Sequence, residues 1–458
     1  MSCVVVVKSK RIRCCLSSLN TLLVTTRRLY QVWHKHLGAQ LTTHLQISEK
    51  ITGWDGDVTQ PALGLSEKHL QILRTRVNYF VHSASSISLG APLKRMIPSV
   101  ILASLEAAHL ALSCEKLIRF VYVSTAYANA HVHDLFDGTD YGIIGEDIYP
   151  LMDGSLNFVS AASELSSILE GGMPSDPTIL RHFPWAYAYA KHLTERLLTN
   201  LFAASLKSES IRISGSIPLT PTKPTLLILR PSGIGPALYS PFPNYSVAHS
   251  TPFTIVAADL ITSLDLKPLI FASAYTDPMS ETWWDEIPVD IVVNRLLLHL
   301  AAGTQGVVHA ACGGELSRQR ANLPMAVAAA NRERVLPWPV STAHVHPRGI
   351  WNVQGVCQTD RLYKFLMTRF DFGDVRTEEV LAAIVGWKET EREVKGWPMF
   401  APATPIEFES RRVYYREIVE EVARKKGWSN GAVDVLCKRP CEAESTTAED
   451  KEGIRSRL

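Results

Sequence analysis

Phe183-Pro184-Trp185-Ala186-Tyr187-Ala188-Tyr189-Ala190-Lys191-His192-Leu193-Thr194-Glu195-Arg196-Leu197-Leu198 is the stretch on which the fold turns. It has the pattern of a helix. Pro184 suits a first turn, where a missing N–H costs nothing. Trp185, Leu193, Leu197 and Leu198 form an apolar stripe with alanines filling the gaps. Tyr187 and Lys191 are four apart, so their side chains share one face, about 5–6 Å apart at Cβ. A phenol titrates at about pH 10, and a nearby ammonium favours its phenolate. Such a pair can deliver a proton to a carbonyl oxygen as the carbonyl is reduced. The bland alternative, a tyrosine packed on a lysine stem, is common for this spacing taken alone.

The surroundings weigh against accident. Val77-Asn78-Tyr79-Phe80-Val81-His82 is a β-rich run ending in Ser83-Ala84-Ser85, and Ile118-Arg119-Phe120-Val121-Tyr122-Val123 is another, ending in Ser124-Thr125. Thr225-Leu226-Leu227-Ile228-Leu229 is a third, followed by Arg230-Pro231-Ser232-Gly233-Ile234-Gly235-Pro236. Between them lie helical patterns. One opens after Ser66, a plausible N-cap. Another, Pro92 to Leu112, repeats Leu93, Ile97, Ile101, Leu105 and Ala108. Strands alternating with helices predict βαβ units and a parallel sheet, which binds ligands beyond the carboxyl ends of its strands. Thr125, Tyr187 and Lys191 are then placed to converge over one crevice. Ile51 to Gly56 is expected to be a short strand.

The 458 residues allow more than one domain, and 46% hydrophobic with 20% charged residues is ordinary for a globular chain. A net charge of +2 gives no case for nucleic acid. Eight cysteines at this length are not a disulfide scaffold, so a reduced, intracellular compartment is expected, cytoplasmic in the first instance. The Arg-rich, acid-poor start up to Glu49 leaves three alternatives: a strand Thr21–Thr25 ending at Arg27-Arg28, a mitochondrial targeting segment, or a disordered or wrongly predicted start. No apolar run reaches about 18 residues, so no transmembrane segment is expected; peripheral membrane contact stays open. His344 and His346 are read as loop residues, not metal ligands, because no third ligand has suitable spacing. No metal is expected.

The blocks Gly56-Asp57-Val58-Thr59-Gln60-Pro61-Ala62-Leu63-Gly64-Leu65-Ser66, Val81-His82-Ser83-Ala84-Ser85, Arg119 to Asn129, Tyr187-x-x-x-Lys191, Leu229 to Pro236 and Ile287 to Asn294 occur in a recognisable order. In them the chain resembles the extended short-chain dehydrogenase/reductase superfamily, and within it the fatty acyl-CoA reductases and thioester reductase domains. The resemblance implies an α/β, Rossmann-like parallel sheet of the extended type, with a smaller substrate domain and a helical C-terminal extension. It implies an atypical segment at 1–50, an NAD(P)-binding domain at 51–235, a substrate-binding part at 236–320, an extension at 321–436 and a disordered tail at 437–458. Tyr187 would be the general acid, Lys191 its partner and a contact of the nicotinamide ribose. Thr125, with Ser124 beside it, would hydrogen-bond the carbonyl. Asp57 and Val58 would lie against the adenine. Val81, His82, Ser83 and Ala84 would pass under the ribose and pyrophosphate, and Pro231, Ser232 and Gly233 would flank the nicotinamide. The implied cofactor is NADPH, and the implied substrate an acyl-CoA or acyl-carrier thioester, reduced to aldehyde or alcohol.

One departure stands out. Family members open with a strand and a Gly-rich turn that lets a helix N-terminus approach the pyrophosphate. No such turn precedes Gly56; Gly138, Gly142 and Gly145 are spaced loosely like one but follow the Thr125 strand. Ser2 to Val7 is a candidate substitute strand without a phosphate loop. A chain that lacked the turn would hold its cofactor weakly, so a non-catalytic scaffolding relative is the alternative reading. Tyr239, Phe242, Tyr245, Phe253, Trp283 and Trp284 are read either as an acyl pocket or as a plain aromatic core. The helix from Asp290 to Ala302 is expected to turn Val292, Leu296, Leu297 and Leu300 inward.

Overall fold

Tyr79–His82 (β2) and Arg119–Val123 (β3) are runs of aromatic and β-branched residues, and they lie side by side in a parallel sheet. Both are buried on both faces, which is why they read as continuous apolar runs with no alternation. The computed structural model describes residues 3–6, 34, 38–40, 42–44, 52–135, 142–210, 223–246, 251, 270–273, 285–312, 341–344, 369–383 and 420. Among these the principal sheet has five strands. Cys3–Val6 (β1) pairs in parallel with β2, β3 pairs in parallel with Thr225–Pro231 (β4), and Gly306–Ala310 (β8) borders β4. The N-terminal residues thus take the place of a substitute strand. The alternative strand at Thr21–Thr25 lies outside the described residues. The expected strand before Gly56 is absent: 52–56 form no ladder, and the chain turns instead. Asp57 N donates to Leu63 O at 2.8 Å, closing a loop over Pro61–Gly64. Gly56 sits so close to Leu63 that a Cβ there would stand 2.9 Å from its carbonyl oxygen.

Helices pack around this sheet's core. Glu67–Arg76 (α1) begins at Ser66, whose hydroxyl accepts from His69 N. Leu93–Leu112 (α2) is continuous but contains a wide π turn at Ile97–Leu102, where Pro98 has no N–H to give the regular ladder. It is long and apolar enough to cross a membrane by length and composition alone. Here its Ala103, Ala107, Ala108 and Ala111 are buried in the sheet core with Phe80, Phe120 and Tyr122. Ala161–Gly171 (α3) follows, ending at Gly172 in the left-handed region, φ 74°. Ala186–Ser210 (α4) is the helix expected from the sequence, although it starts at Ala186 and leaves Pro184 in the preceding turn. Trp185, Leu193, Leu197 and Leu198 are all buried, and Phe202 stacks on Phe120 with centroids 5.6 Å apart.

Two compact units divide the chain: Met1–Val132, Glu146–Arg230 and Gly303–Val308 in one; His133–Gly145, Pro231–Ala302 and His309–Leu458 in the other. The second holds two small parallel pairs, Gly233–Gly235 (β5) with Glu286–Pro288 (β7) and Ile270–Ser273 (β6) with Ser341–His344 (β9). His344 therefore sits in a strand, not a loop. Val289–Ala302 (α5) opens with Asp290, whose carboxylate accepts the N–H groups of Leu238, Tyr239 and Ser240. Its buried side includes Ile291, Val292, Leu298 and His299, while Leu297 is exposed, contrary to the helical-wheel expectation. Val375–Ala383 (α6) packs on α5, with His299 Nε2 3.1 Å from Thr377 Oγ1. Phe242 and Tyr245 form an edge-to-face pair, and Phe242 is partly exposed. Phe253, Trp283, Trp284, His346 and the 441–458 tail lie outside the described residues.

Candidate active site

The carboxyl end of β3 is the place to build from, because it is a central strand with neighbours on both sides. Ser124 N extends the ladder to Leu229 O at 2.7 Å. Its Oγ is buried without a hydrogen-bond partner, a polar atom left over at the strand tip. Thr125 lies two residues past the end of β3, just before a 3₁₀ stretch, Ala126–Leu135. Its Oγ1 accepts from Tyr127 N at 3.4 Å, which leaves the hydroxyl proton to be donated elsewhere.

Helix α4 brings Lys191 to the same strand. The amine is 2% exposed and donates to Val123 O at 2.8 Å. It sits 4.6 Å from the centroid of the Tyr122 ring and 5.7 Å from that of Tyr187. One of its three protons is spent on Val123. Burial pulls its pKa down to about 7, and the Glu195 carboxylate one turn along works in the opposite direction. Tyr187 is half-buried, between an exposed His182 and the fully covered Ala188–Ala190. Burial pushes its phenol above the usual tyrosine value, so it is a proton donor at neutral pH. Val123, Thr125, Tyr187 and Lys191 all belong to one compact unit.

Behind the lysine lies an ion pair that the sequence reading did not assign. Arg230, the last residue but one of β4, donates from Nε to Glu195 Oε1 at 2.9 Å and from NH2 to Oε2 at 2.6 Å. Neither side chain is exposed at all. Its NH1 donates to Asp147 O at 2.8 Å, and Asn129 Nδ2 donates to the same carbonyl. The signal for Glu195 was its i+4 position after Lys191. For Arg230 it was a guanidinium closing an apolar strand, which requires a buried acceptor.

The expected cofactor residues are placed as follows. Asp57 is half-buried, and its carboxylate accepts from Thr59 N and Thr59 Oγ1 at 2.9 and 2.6 Å, the turn-capping role. Val58 and Ala84 have their side chains in the hydrophobic core, and Val81 is buried within β2. His82 is buried with Nε2 3.1 Å from Ser104 Oγ on α2; burial first, then Lys191, lowers its pKa to about 3. Ser83 is exposed at the end of β2. In the second unit, Pro231, Ser232 and Gly233 are buried. Ser232 Oγ donates to Asp285 Oδ1 at 2.5 Å, and Gly233 N donates to Asp285 O at 2.9 Å. Cys312 N donates to the same carboxylate. The sequence held no signal for Asp285, since it lies 53 residues from Ser232.

A nicotinamide dinucleotide suits the residues present at the β3 edge: an orphaned Ser124 hydroxyl, a threonine hydroxyl with its proton to give, and an ammonium with spare donors. Parallel strands joined by crossover helices define an α/β domain of the Rossmann-like kind. Residues 10–218 match the NAD-binding family model described as Male sterility protein. Over those residues the chain is similar to that family. The chain is 27% identical over 297 residues to the alcohol-forming fatty acyl-CoA reductase of Simmondsia chinensis, covering 60% of this chain and 53% of that one. It is 24% identical over 266 residues to fatty acyl-CoA reductase 2 of Homo sapiens, covering 57% and 43%. It thus spans about half the length of these curated relatives. Among solved structures, the terminal R domain from the myxalamid PKS-NRPS biosynthetic pathway aligns with a TM-score of 0.48 and 14% identity, over 93% of this chain and 85% of that one.

Proposed function

We propose that this protein reduces a long-chain fatty acyl-CoA thioester with NADPH, releasing the thiol and giving an aldehyde or, after a second reduction, an alcohol. The observation that carries the reading is the Lys191 amine held at the tip of β3, with the Tyr187 ring beside it and Thr125 two residues beyond its acceptor, Val123. A bound reduced nicotinamide supplies hydride to the carbonyl carbon. As the carbonyl oxygen gains negative charge, the hydroxyls of Thr125 and Tyr187 donate to it, and the Tyr187 proton neutralises it. Lys191 lowers the cost of the phenolate that remains. Collapse of the resulting adduct expels the thiol. The relatives named for acyl-CoA reduction support the choice of substrate.

The test is to incubate the purified protein with palmitoyl-CoA and either NADPH or NADH, and to follow loss of reduced-nicotinamide absorbance and appearance of thiol. Oxidation of NADPH with equimolar or half-molar thiol release is expected. Folded protein that binds the cofactor and turns over neither coenzyme would overturn the reading. Preference for a carrier-bound acyl group over the CoA ester would redirect it to assembly-line thioesters. Failure to bind nicotinamide cofactors in calorimetry would point to a scaffolding role.

A further inference from the structure

We infer that Glu195 and Arg230 are positioning residues for Lys191: the buried pair seats α4 so that the amine meets the Val123 carbonyl, and the Glu195 carboxylate holds the charge on that amine. The inference rests on the reductase reading for its kinetic consequence, but not for its effect on the lysine itself.

The geometry is specific. Glu195 is one helical turn from Lys191, on the same face. Its two oxygens are each taken by a different nitrogen of Arg230, in the fork-to-fork arrangement that fixes both partners. The third arm of the guanidinium reaches Asp147 O, which also receives Asn129 Nδ2. One knot therefore joins α4, the end of β4, the segment after Thr125 and the 147 loop. A helix held there cannot slide along the sheet without breaking buried charged hydrogen bonds, so the Lys191–Val123 contact is set in register.

The electrostatics add a second reason. The groups that face the amine are the Val123 carbonyl and the Tyr122 ring on β3, His82 on β2, and Tyr187 and Glu195 on α4 itself. Burial keeps His82 neutral and both phenols protonated around neutrality. Among the described residues, Glu195 is then the anion that acts on the amine. Arg230 holds that carboxylate in place through two hydrogen bonds.

The experiment uses full-length protein with 15N-labelled lysine. The Lys191 side-chain nitrogen is titrated by NMR without cofactor, with Lys191→Arg to assign the signal, and kcat for palmitoyl-CoA and NADPH is measured against pH. In Glu195→Gln the Lys191 titration is expected to fall by roughly one pH unit, because an anion that favours the charged amine is removed. The alkaline limb of kcat should move down with it, while KM changes little. Because Glu195→Gln can leave Arg230 unpaired and unfold the chain, the double variant Glu195→Gln/Arg230→Gln is the second arm, with a smaller shift in the same direction. An unmoved titration in either folded variant overturns the inference. So does failure of both variants to fold, which would make the pair a requirement of the fold alone. If the titration shifts but wild-type protein shows no turnover, the reductase reading fails and the inference about Lys191 stands.

Discussion

Glu195 and Arg230 meet through two hydrogen bonds, of 2.9 and 2.6 Å, at a point no solvent reaches. Removing one partner of such a pair strands a charge in the interior, which costs about 3–5 kcal/mol, whereas replacing both with apolar groups is often neutral. Arg230→Met is therefore expected to lower the unfolding free energy by that amount in urea titrations. Glu195→Leu/Arg230→Met should recover most of it. Equal losses in the single and double variants would show that packing, not charge, is at stake.

Tyr187 is the proposed proton donor. Tyr187→Phe keeps the ring that faces Lys191 and removes only the hydroxyl. A loss of roughly 10²–10⁴-fold in kcat is expected, with cofactor affinity changed little. Retention of the wild-type rate would take Tyr187 out of that role.

Lys191 carries a stability cost that changes with pH. Its amine titrates at about 7 in the folded chain against 10.5 in an unperturbed lysine. Between those values the unfolded chain binds a proton that the folded chain does not, so stability rises with pH across that window. Below about pH 7 the penalty is complete and constant. Lys191→Met is thus expected to stabilise the protein at pH 7 by on the order of a few kcal/mol, even after loss of the Val123 bond. The gain should shrink towards pH 10, as thermal unfolding across that range would reveal. The same change should abolish reduction, a trade common where a site holds a buried charge.

Ser232 separates a loop-holding role from a cofactor-binding one. Its hydroxyl is committed to the Asp285 carboxylate, itself buried. Ser232→Ala should cost about 1.5–3 kcal/mol, the range for a hydrogen bond to a charged group, and leave the dissociation constant for NADPH within a few-fold. A large loss of affinity at unchanged stability would instead assign the hydroxyl to the cofactor.

Much of this was legible in local patterns. The runs Tyr79–His82 and Arg119–Val123 could only be buried strands, and Ser66 announced the start of α1 through its cap. Leu193, Leu197 and Leu198 gave the buried face of α4 correctly, and Trp185 is buried just before its first turn. The strand expected before Gly56 failed because close approach to Leu63 turns the chain there. Leu297 was misplaced because the buried side of α5 also takes His299, whose imidazole is next to Thr377 of α6.

What the chain order by itself determined is the presence of strands that run out close to Ser83, Thr125 and Arg230 and of a helix carrying Tyr187 and Lys191 on one face. Those follow from periodicity and from side-chain spacing, which act over a few residues. What only the tertiary structure decided is which side chains those ends spend on the protein itself. Asp57 turns to Thr59, His82 to Ser104, Ser232 to Asp285 and Arg230 to Glu195. Buried polar groups must find partners, and most of these partners lie 22 to 53 residues away along the chain, where no local rule reaches.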